Sequence, residues 1–87
     1  MYLVLCYDVP AKRTVLYHKL LSRYLVAMQE SVFAGDLPES AFRKLVRDIR
    51  RVREHADKLL FISTENRHNV AVKQYLGDQF VPDTSHT

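Results

Sequence analysis

The sequence lacks several features that would each assign it to a particular class of protein. It contains a single cysteine and no tryptophan, so no intramolecular disulfide can form and a disulfide-stabilised scaffold is excluded. It has no Walker loop, no Rossmann glycine fingerprint and no zinc motif, and its four histidines show no metal-ligand spacing. No internal repeat, linker or low-complexity stretch is present. These absences favour a single domain whose core is held together by packing or by a partner chain.

No segment of the sequence is suited to crossing a membrane or to targeting. The longest apolar run, residues 2–7, is too short for a membrane-spanning helix. No basic residue precedes this run, so we do not expect a secretory signal. Together with the lack of a disulfide framework, this predicts a cytoplasmic protein with no membrane partner.

The apolar run at the start of the chain predicts a β-strand that ends on a carboxylate. Its length and its Val, Leu and Tyr content are typical of strands. Successive side chains of a strand point to opposite faces, and here both faces are apolar up to the last residue. Both faces therefore have to be covered. One face carries Leu3, Leu5 and Tyr7, and the other carries Tyr2, Val4, Cys6 and Asp8.

The rest of the chain predicts two helices and further strands. Residues 11–24 and 38–55 repeat apolar residues at intervals of three and four, as amphipathic helices do. Residues 25–37 contain two β-like pieces, which form either a tight hairpin or one sharply bent strand. Residues 58–64 predict another strong strand, and residues 69–76 a further element.

This order of elements predicts an α+β fold, a ferredoxin-like βαββαβ domain with an extra C-terminal strand. We expect residues 1–78 to form the domain. Residues 79–87 would be a C-terminal tail, and Phe80 and Val81 make it apolar enough to dock on the partner protomer.

A homodimer is predicted from the face of the first strand that the helices leave uncovered. This face, with Tyr2, Val4 and Cys6, would be an exposed apolar patch, and such patches usually mark an interface. A twofold dimer that packs sheet on sheet is the simplest cover, because it uses the same patch twice.

Asp8 has two interpretations. A carboxylate between a strand and a helix often caps the N-terminus of the helix. Alternatively, Asp8 is a ligand of Mg²⁺, which prefers oxygen donors and often takes only one or two carboxylates plus waters. If the first strand lies at a twofold axis, two copies of Asp8 would converge and a shared cation would relieve their repulsion.

The second predicted helix is rich in arginine, which is either a solvated face or a contact for phosphates. Arginine forks grip phosphate oxygens without reading sequence. The basic residues that we assign to nucleic-acid binding are Lys12, Arg13, Arg43, Arg47, Arg50 and Arg51.

Ser31 is either an ordinary turn serine or a hydroxyl close to Asp8.

Several of these residues together resemble a known family. The first strand ends in Tyr7-Asp8-Val9-Pro10, the basic pair Lys12-Arg13 follows, and a Ser-Val-Phe-Ala-Gly run begins at Ser31. With the chain length and the strand at residues 57–62, these features make nearly the whole chain similar to the CRISPR-associated Cas2 family. One departure is Ala11, where many members carry a polar or acidic residue. A metal site would then depend on the dimer.

The resemblance implies a ferredoxin-like homodimer that works with the Cas1 integrase in acquiring spacers for antiviral defence. Some members are also assigned Mg²⁺-dependent endonuclease activity on RNA or duplex DNA. The resemblance implies that Asp8 is the metal ligand and that Arg13, Ser31 and Phe33 share the catalytic site.

Other functions stay open at this stage. The chain could be a non-catalytic, architectural DNA-binding adaptor for the Cas1 integrase, which a lone carboxylate per chain favours. A toxin-like ribonuclease of the same fold is a related option. An RRM-type RNA binder is disfavoured, because the run at residues 31–35 does not match the aromatic RNA-binding motif of that module.

Overall fold

The structure is a computed structural model that describes residues 1–65, 73–76 and 79–82, the last two ranges by their backbone alone. A short 3-10 turn, Ala11–Arg13, precedes the first helix. The six strands and two helices are β1 (Tyr2–Asp8), α1 (Thr14–Ser22), β2 (Val26–Gln29), β3 (Val32–Asp36), α2 (Glu39–Val52), β4 (Lys58–Thr64), β5 (Lys73–Leu76) and β6 (Gln79–Pro82).

Four strands form one sheet in the order β2-β3-β1-β4, and every neighbouring pair is antiparallel. This order, with one helix after β1 and one after β3, confirms the predicted ferredoxin-like fold. It also resolves the open question about residues 25–37, which form a hairpin. The irregularity in that hairpin lies between Ala27 and Gln29 on β2.

The two helices cover one face of the sheet, as predicted. Leu3, Leu5 and Tyr7 of β1 pack there against buried residues of both helices, such as Leu21 and Leu45. Leu16 of α1 lies outside this core and is 38% exposed.

The opposite face of the sheet is less open than the sequence predicts. Tyr2 and Val4 are only 3% and 9% exposed, so they do not form an exposed patch. Both residues pack in a second, smaller apolar cluster with side chains of β3 and β2, such as Ala34 and Met28. The exposed large apolar residues of this face lie on the two outer strands of the four-stranded sheet, with Leu60 and Ile62 on β4 and Val26 on β2.

The strands β5 and β6 pair with each other in a separate two-stranded sheet. The expected domain boundary after residue 78 lies between β5 and β6 and stays a prediction. The polar residues 65–68 predict a turn after β4, and residues 66–68 lie outside the described residues. Docking of residues 79–87 on a partner protomer stays a prediction.

A buried ion pair ties the start of α1 to the segment between α2 and β4. Asp57 is fully buried, and its carboxylate accepts hydrogen bonds from Arg13 Nη2 at 2.9 Å and from the Tyr17 hydroxyl at 2.7 Å. The backbone N–H of Glu54 donates to the same oxygen, at 2.9 Å. Arg13 also donates to the carbonyl of Val52. Two helices and the entry to β4 therefore meet at one carboxylate.

The electrostatics of this cluster keep Asp57 charged and Tyr17 neutral. The hydrogen bond from Arg13 lowers the pKa of Asp57 to about 2, although burial alone would raise it. Burial, reinforced by the hydrogen bond to Asp57, raises the pKa of Tyr17 to about 12. The ion pair is therefore intact over the whole neutral range.

Replacing Asp57 by Asn should leave the Arg13 guanidinium buried without its counter-ion. We expect the melting temperature near neutral pH to fall by on the order of 10 °C. The folded-state pKa is about 2, against about 3.9 in an unfolded chain, so the stabilisation is present above about pH 4 and is lost as the pH falls toward 2. The difference in melting temperature between the wild type and Asp57→Asn should therefore become smaller as the pH falls from about 4 toward 2.

The matched control is Glu54→Gln, which removes the exposed partner of Arg13. Because exposed pairs contribute little, we expect a shift of a few degrees at most. A wild-type advantage over Asp57→Asn that stays constant down to pH 2 would contradict this explanation.

Candidate functional site at the end of the first strand

Asp8 lies at the end of β1, exposed and opposite Lys58 of β4. The alternative that it caps a helix is wrong, since Pro10 and Arg13 occupy the N-cap positions and neither helical segment has a side-chain cap. Within the described part of the chain, no side-chain hydrogen bond or ion pair engages the Asp8 carboxylate. The carboxylate is therefore available to a ligand.

Asp8 lies at the rim of two shallow cavities. One of about 350 Å³ also includes Ser31, Glu30 and Thr14 in its lining. The other, of about 180 Å³, runs along β4 past Lys58 and Leu59. The predicted pair of Asp8 and Ser31 is thus brought together, although the two residues are 23 positions apart in sequence.

Two hydrogen bonds hold the β2–β3 turn against the end of β1. The backbone N–H of Tyr7 donates to the carbonyl of Ser31 at 3.1 Å. The Tyr7 hydroxyl donates to the carbonyl of Glu30 at 3.0 Å. Burial, with a smaller effect of the nearby Glu30 charge, raises the pKa of Tyr7. Tyr7 is therefore a neutral donor that fixes the turn.

Glu30 is a residue of this site that the sequence reasoning missed. It lines the larger cavity together with Asp8. The only sequence signal was its position directly before Ser31, in the short segment that separates the two β-like pieces. That signal becomes useful only when the segment is known to be a hairpin turn beside β1.

Two of the residues that the resemblance places in the catalytic site lie elsewhere. The Arg13 side chain is 13% exposed and is held by Asp57 and Glu54. Phe33 is fully buried, with its ring centroid 6.1 Å from that of Tyr7 and 5.3 Å from that of His18. Neither residue lines the cavities beside Asp8. Both support the elements that carry the site.

The predicted basic surface is present on α2. Arg43, Arg47, Arg50 and Arg51 line one depression of about 490 Å³, together with Phe42 and Val46. Arg43 pairs with Glu39 at 2.9 Å, and Arg51 lies 3.9 Å from Asp48. Among the described residues, Arg47 and Arg50 have no ion pair. Lys12 is exposed and lies outside this depression.

The donor atoms around Asp8 suit a hard cation. The residues that line the larger cavity offer two carboxylates, from Asp8 and Glu30, and two hydroxyls, from Thr14 and Ser31. Mg²⁺ is commonly bound by one or two carboxylates and keeps several waters. Clusters of three or more His, Cys, Asp or Glu side chains do not occur in the described part of the chain. The residues therefore fit a largely hydrated Mg²⁺ and do not fit an all-protein cage.

Among the described helices, none is long and apolar enough to span a membrane.

Comparison with known proteins gives a consistent result. Residues 1–71 match the family described as CRISPR associated protein Cas2. A protein of Haloferax volcanii named CRISPR-associated endoribonuclease Cas2 is 38% identical over 68 residues, which are 78% of this chain and 79% of that protein.

Solved structures agree with this match. A structure described as a crystal structure of Cas2 is 35% identical, with a TM-score of 0.68 over 71% of each chain. A hypothetical protein of Thermus thermophilus is 27% identical, with a TM-score of 0.71 over 94% of this chain and 96% of that chain. With the family match covering most of the sequence and the fold in agreement, the chain belongs to the CRISPR-associated Cas2 family.

Proposed function

We propose that the protein is a metal-dependent endonuclease that hydrolyses phosphodiester bonds at Asp8, with RNA as its first substrate and duplex DNA as the second. The observation that carries this proposal is the Asp8 carboxylate, which no described side chain engages, in a cavity lined by further oxygen donors. Support comes from the Haloferax volcanii relative, which is named an endoribonuclease.

Each residue of the site has a role that its position suggests. Asp8 would hold Mg²⁺, with Glu30 close enough to accept hydrogen bonds from its water shell. The Ser31 hydroxyl and the Lys58 ammonium group are donors for the oxygens of a bound phosphate. A bound Mg²⁺ supplies polarisation of the phosphoryl group and a water of lowered pKa. Arg13 and Phe33 would act by keeping α1 and β3 in place.

Phosphate contacts away from the cleavage site are assigned to the basic residues. Arg47 and Arg50 have no ion pair among the described residues, so both are available for backbone phosphates. Arg43 and Arg51 would extend this surface, and Lys12 would contribute at the start of α1. Contacts of this kind do not depend on base sequence.

The alternative function is an architectural role in spacer acquisition, in which a dimer binds DNA for the Cas1 integrase and does not cut it. The number of carboxylates favours this alternative, because two-metal nucleases usually array several of them and the described cavity has two. The two functions share the fold and the basic surface, and a cleavage assay separates them.

Asp8→Asn keeps the shape of the side chain and removes its charge. We expect this change to reduce Mg²⁺-dependent cleavage of RNA by at least about a hundredfold, since the cation loses its charged ligand. Binding of the same RNA in EDTA should be unchanged and should weaken steeply with salt. The melting temperature without metal should equal that of the wild type or rise, because no described side chain pairs with the carboxylate and the change would relieve any repulsion between two Asp8 carboxylates in a dimer.

Cleavage by Asp8→Asn at the wild-type rate would show that the activity lies elsewhere. If purified wild type never cleaves RNA or duplex DNA but binds both, the architectural function is correct instead.

We also propose that the protein is a homodimer that packs through the sheet face opposite the helices. On β4, Leu60 and Ile62 are 58% and 48% exposed, and they share this face with Asp8 and Cys6 of β1. A twofold interface here would bury the apolar edge and bring two Asp8 carboxylates toward each other.

Leu60→Glu should convert this dimer to a monomer, because it places a charge in the interface. The measurement is analytical sedimentation at micromolar concentration. Val15→Glu is the matched control, since Val15 is 63% exposed on α1 and lies on the helical side. A wild-type monomer, or equal dissociation by both variants, would overturn the proposed interface.

A further inference from the structure

We propose that the groove between α2 and β4 binds an unpaired base of single-stranded nucleic acid and so delivers the strand to Asp8. This inference rests on the proposed function in one respect, namely that the ligand is a nucleic acid. The location of the groove and the kind of contact are independent of the chemistry at Asp8.

The groove is a cavity of about 370 Å³ with an aromatic and aliphatic lining. Phe42 of α2 and Phe61 of β4 form an edge-to-face pair, with ring centroids 6.4 Å apart at 89°. Phe61 is 39% exposed even though it points to the helical side of the sheet. The reason is that β4 is an edge strand, so α2 covers it incompletely. The complete lining is Phe42, Val46, Ile49, Arg50, Arg53, Leu59 and Phe61.

The charges around the groove identify the occupant as nucleic acid. Arg50 and Arg53 line the groove, and neither has an acidic partner among the described residues. The neighbouring depression on α2 shares Phe42, Val46 and Arg50 with the groove and adds Arg47. Aromatic faces beside a positively charged track are the combination that binds single strands, because bases stack and phosphates follow the charges.

The aromatic rings of the groove indicate that its nucleic-acid ligand is single-stranded. The groove offers aromatic rings, and the bases of an intact duplex are stacked on each other and are not available to them. Among the described lining residues no acidic or amide side chain is present to read a base edge, and the two arginines, Arg50 and Arg53, are assigned to phosphates. We therefore expect the groove to accept any base and to require that the base is unpaired.

The groove leads toward the candidate cleavage site. Leu59 lines both the groove and the smaller cavity beside Asp8. Along β4, Phe61 stands opposite Leu5, and Lys58 stands opposite Asp8. Three residues of strand span roughly 10 Å. Because Phe61 and Lys58 point to opposite faces of β4, a strand with a base held against Phe61 would pass round the edge of β4 to bring a neighbouring phosphate near Lys58 and Asp8.

The test compares two single-stranded probes of equal length, a labelled oligoribonucleotide and its abasic analogue, by fluorescence anisotropy in EDTA. The wild type should bind the normal probe at least about tenfold more tightly than the abasic probe. Phe61→Leu removes the aromatic face and keeps an apolar side chain, so it should abolish most of this preference without changing affinity for the abasic probe. Arg47→Glu should weaken both probes alike, since it affects phosphates only.

Phe42→Leu is a second variant at the other wall of the groove and should reduce the preference in the same way. Thermal melts identify any variant that is not folded. If both Leu variants retain the wild-type preference for bases, the inference is overturned and the groove is assigned to an apolar segment of a protein partner. If the wild type binds neither probe, the proposed nucleic-acid function fails first and this inference fails with it.

Discussion

The contact between Arg13 and Asp57 determines where the functional groups of this protein lie. Asp57 directly precedes Lys58, the first residue of β4, and Arg13 directly precedes α1. Joining the two fixes the start of β4 relative to the end of β1, because the loop after Asp8 leads straight to Arg13. The ion pair therefore holds the end of β1 and the start of β4 in the register that sets Lys58 opposite Asp8. The buried carboxylate accepts hydrogen bonds from four donors, which are Arg13 Nε and Nη2, the Tyr17 hydroxyl and the Glu54 N–H, and breaking such a group is costly.

The ionisable groups near this ion pair are of two kinds. Some hold structural elements together, and others are available to a ligand. Arg13 and Asp57 satisfy each other and Tyr17, so they hold elements together and are not free for a substrate. Asp8 has no such partner in the described chain. In this chain of 87 residues, a buried and fully hydrogen-bonded network therefore lies beside an exposed carboxylate. The buried network keeps the backbone around the exposed carboxylate rigid, as a binding site for a ligand requires.

The elements of the fold could be predicted because their patterns are local. Residues 2–8 and 58–64 read as strands from their apolar runs, and both helices follow from their periodicity. Asp8 could be singled out because it ends an apolar strand. The hairpin at residues 25–37 could not be chosen over a bent strand, since the choice depends on pairing with β1, a contact that is distant in sequence.

The features that could not be predicted from the sequence depend on contacts between residues that are far apart in the chain. The partner of Arg13 lies 44 residues away, so nothing local distinguished a structural arginine from a catalytic one. The burial of Tyr2 and Val4 includes packing against Ala34, which lies more than 25 residues away in sequence. Likewise, Glu30 joins the site only through the turn that Tyr7 holds.

The central claim is that Asp8 is the ligand that brings a divalent cation to this protein, and binding of Mn²⁺ measured by electron paramagnetic resonance tests it most directly. Mn²⁺ prefers the same oxygen donors as Mg²⁺ and is visible when free. The account predicts that the wild type depletes the signal of free Mn²⁺, that Asp8→Asn does not, and that Glu30→Gln binds with reduced affinity. Equal depletion by the wild type and Asp8→Asn would contradict it.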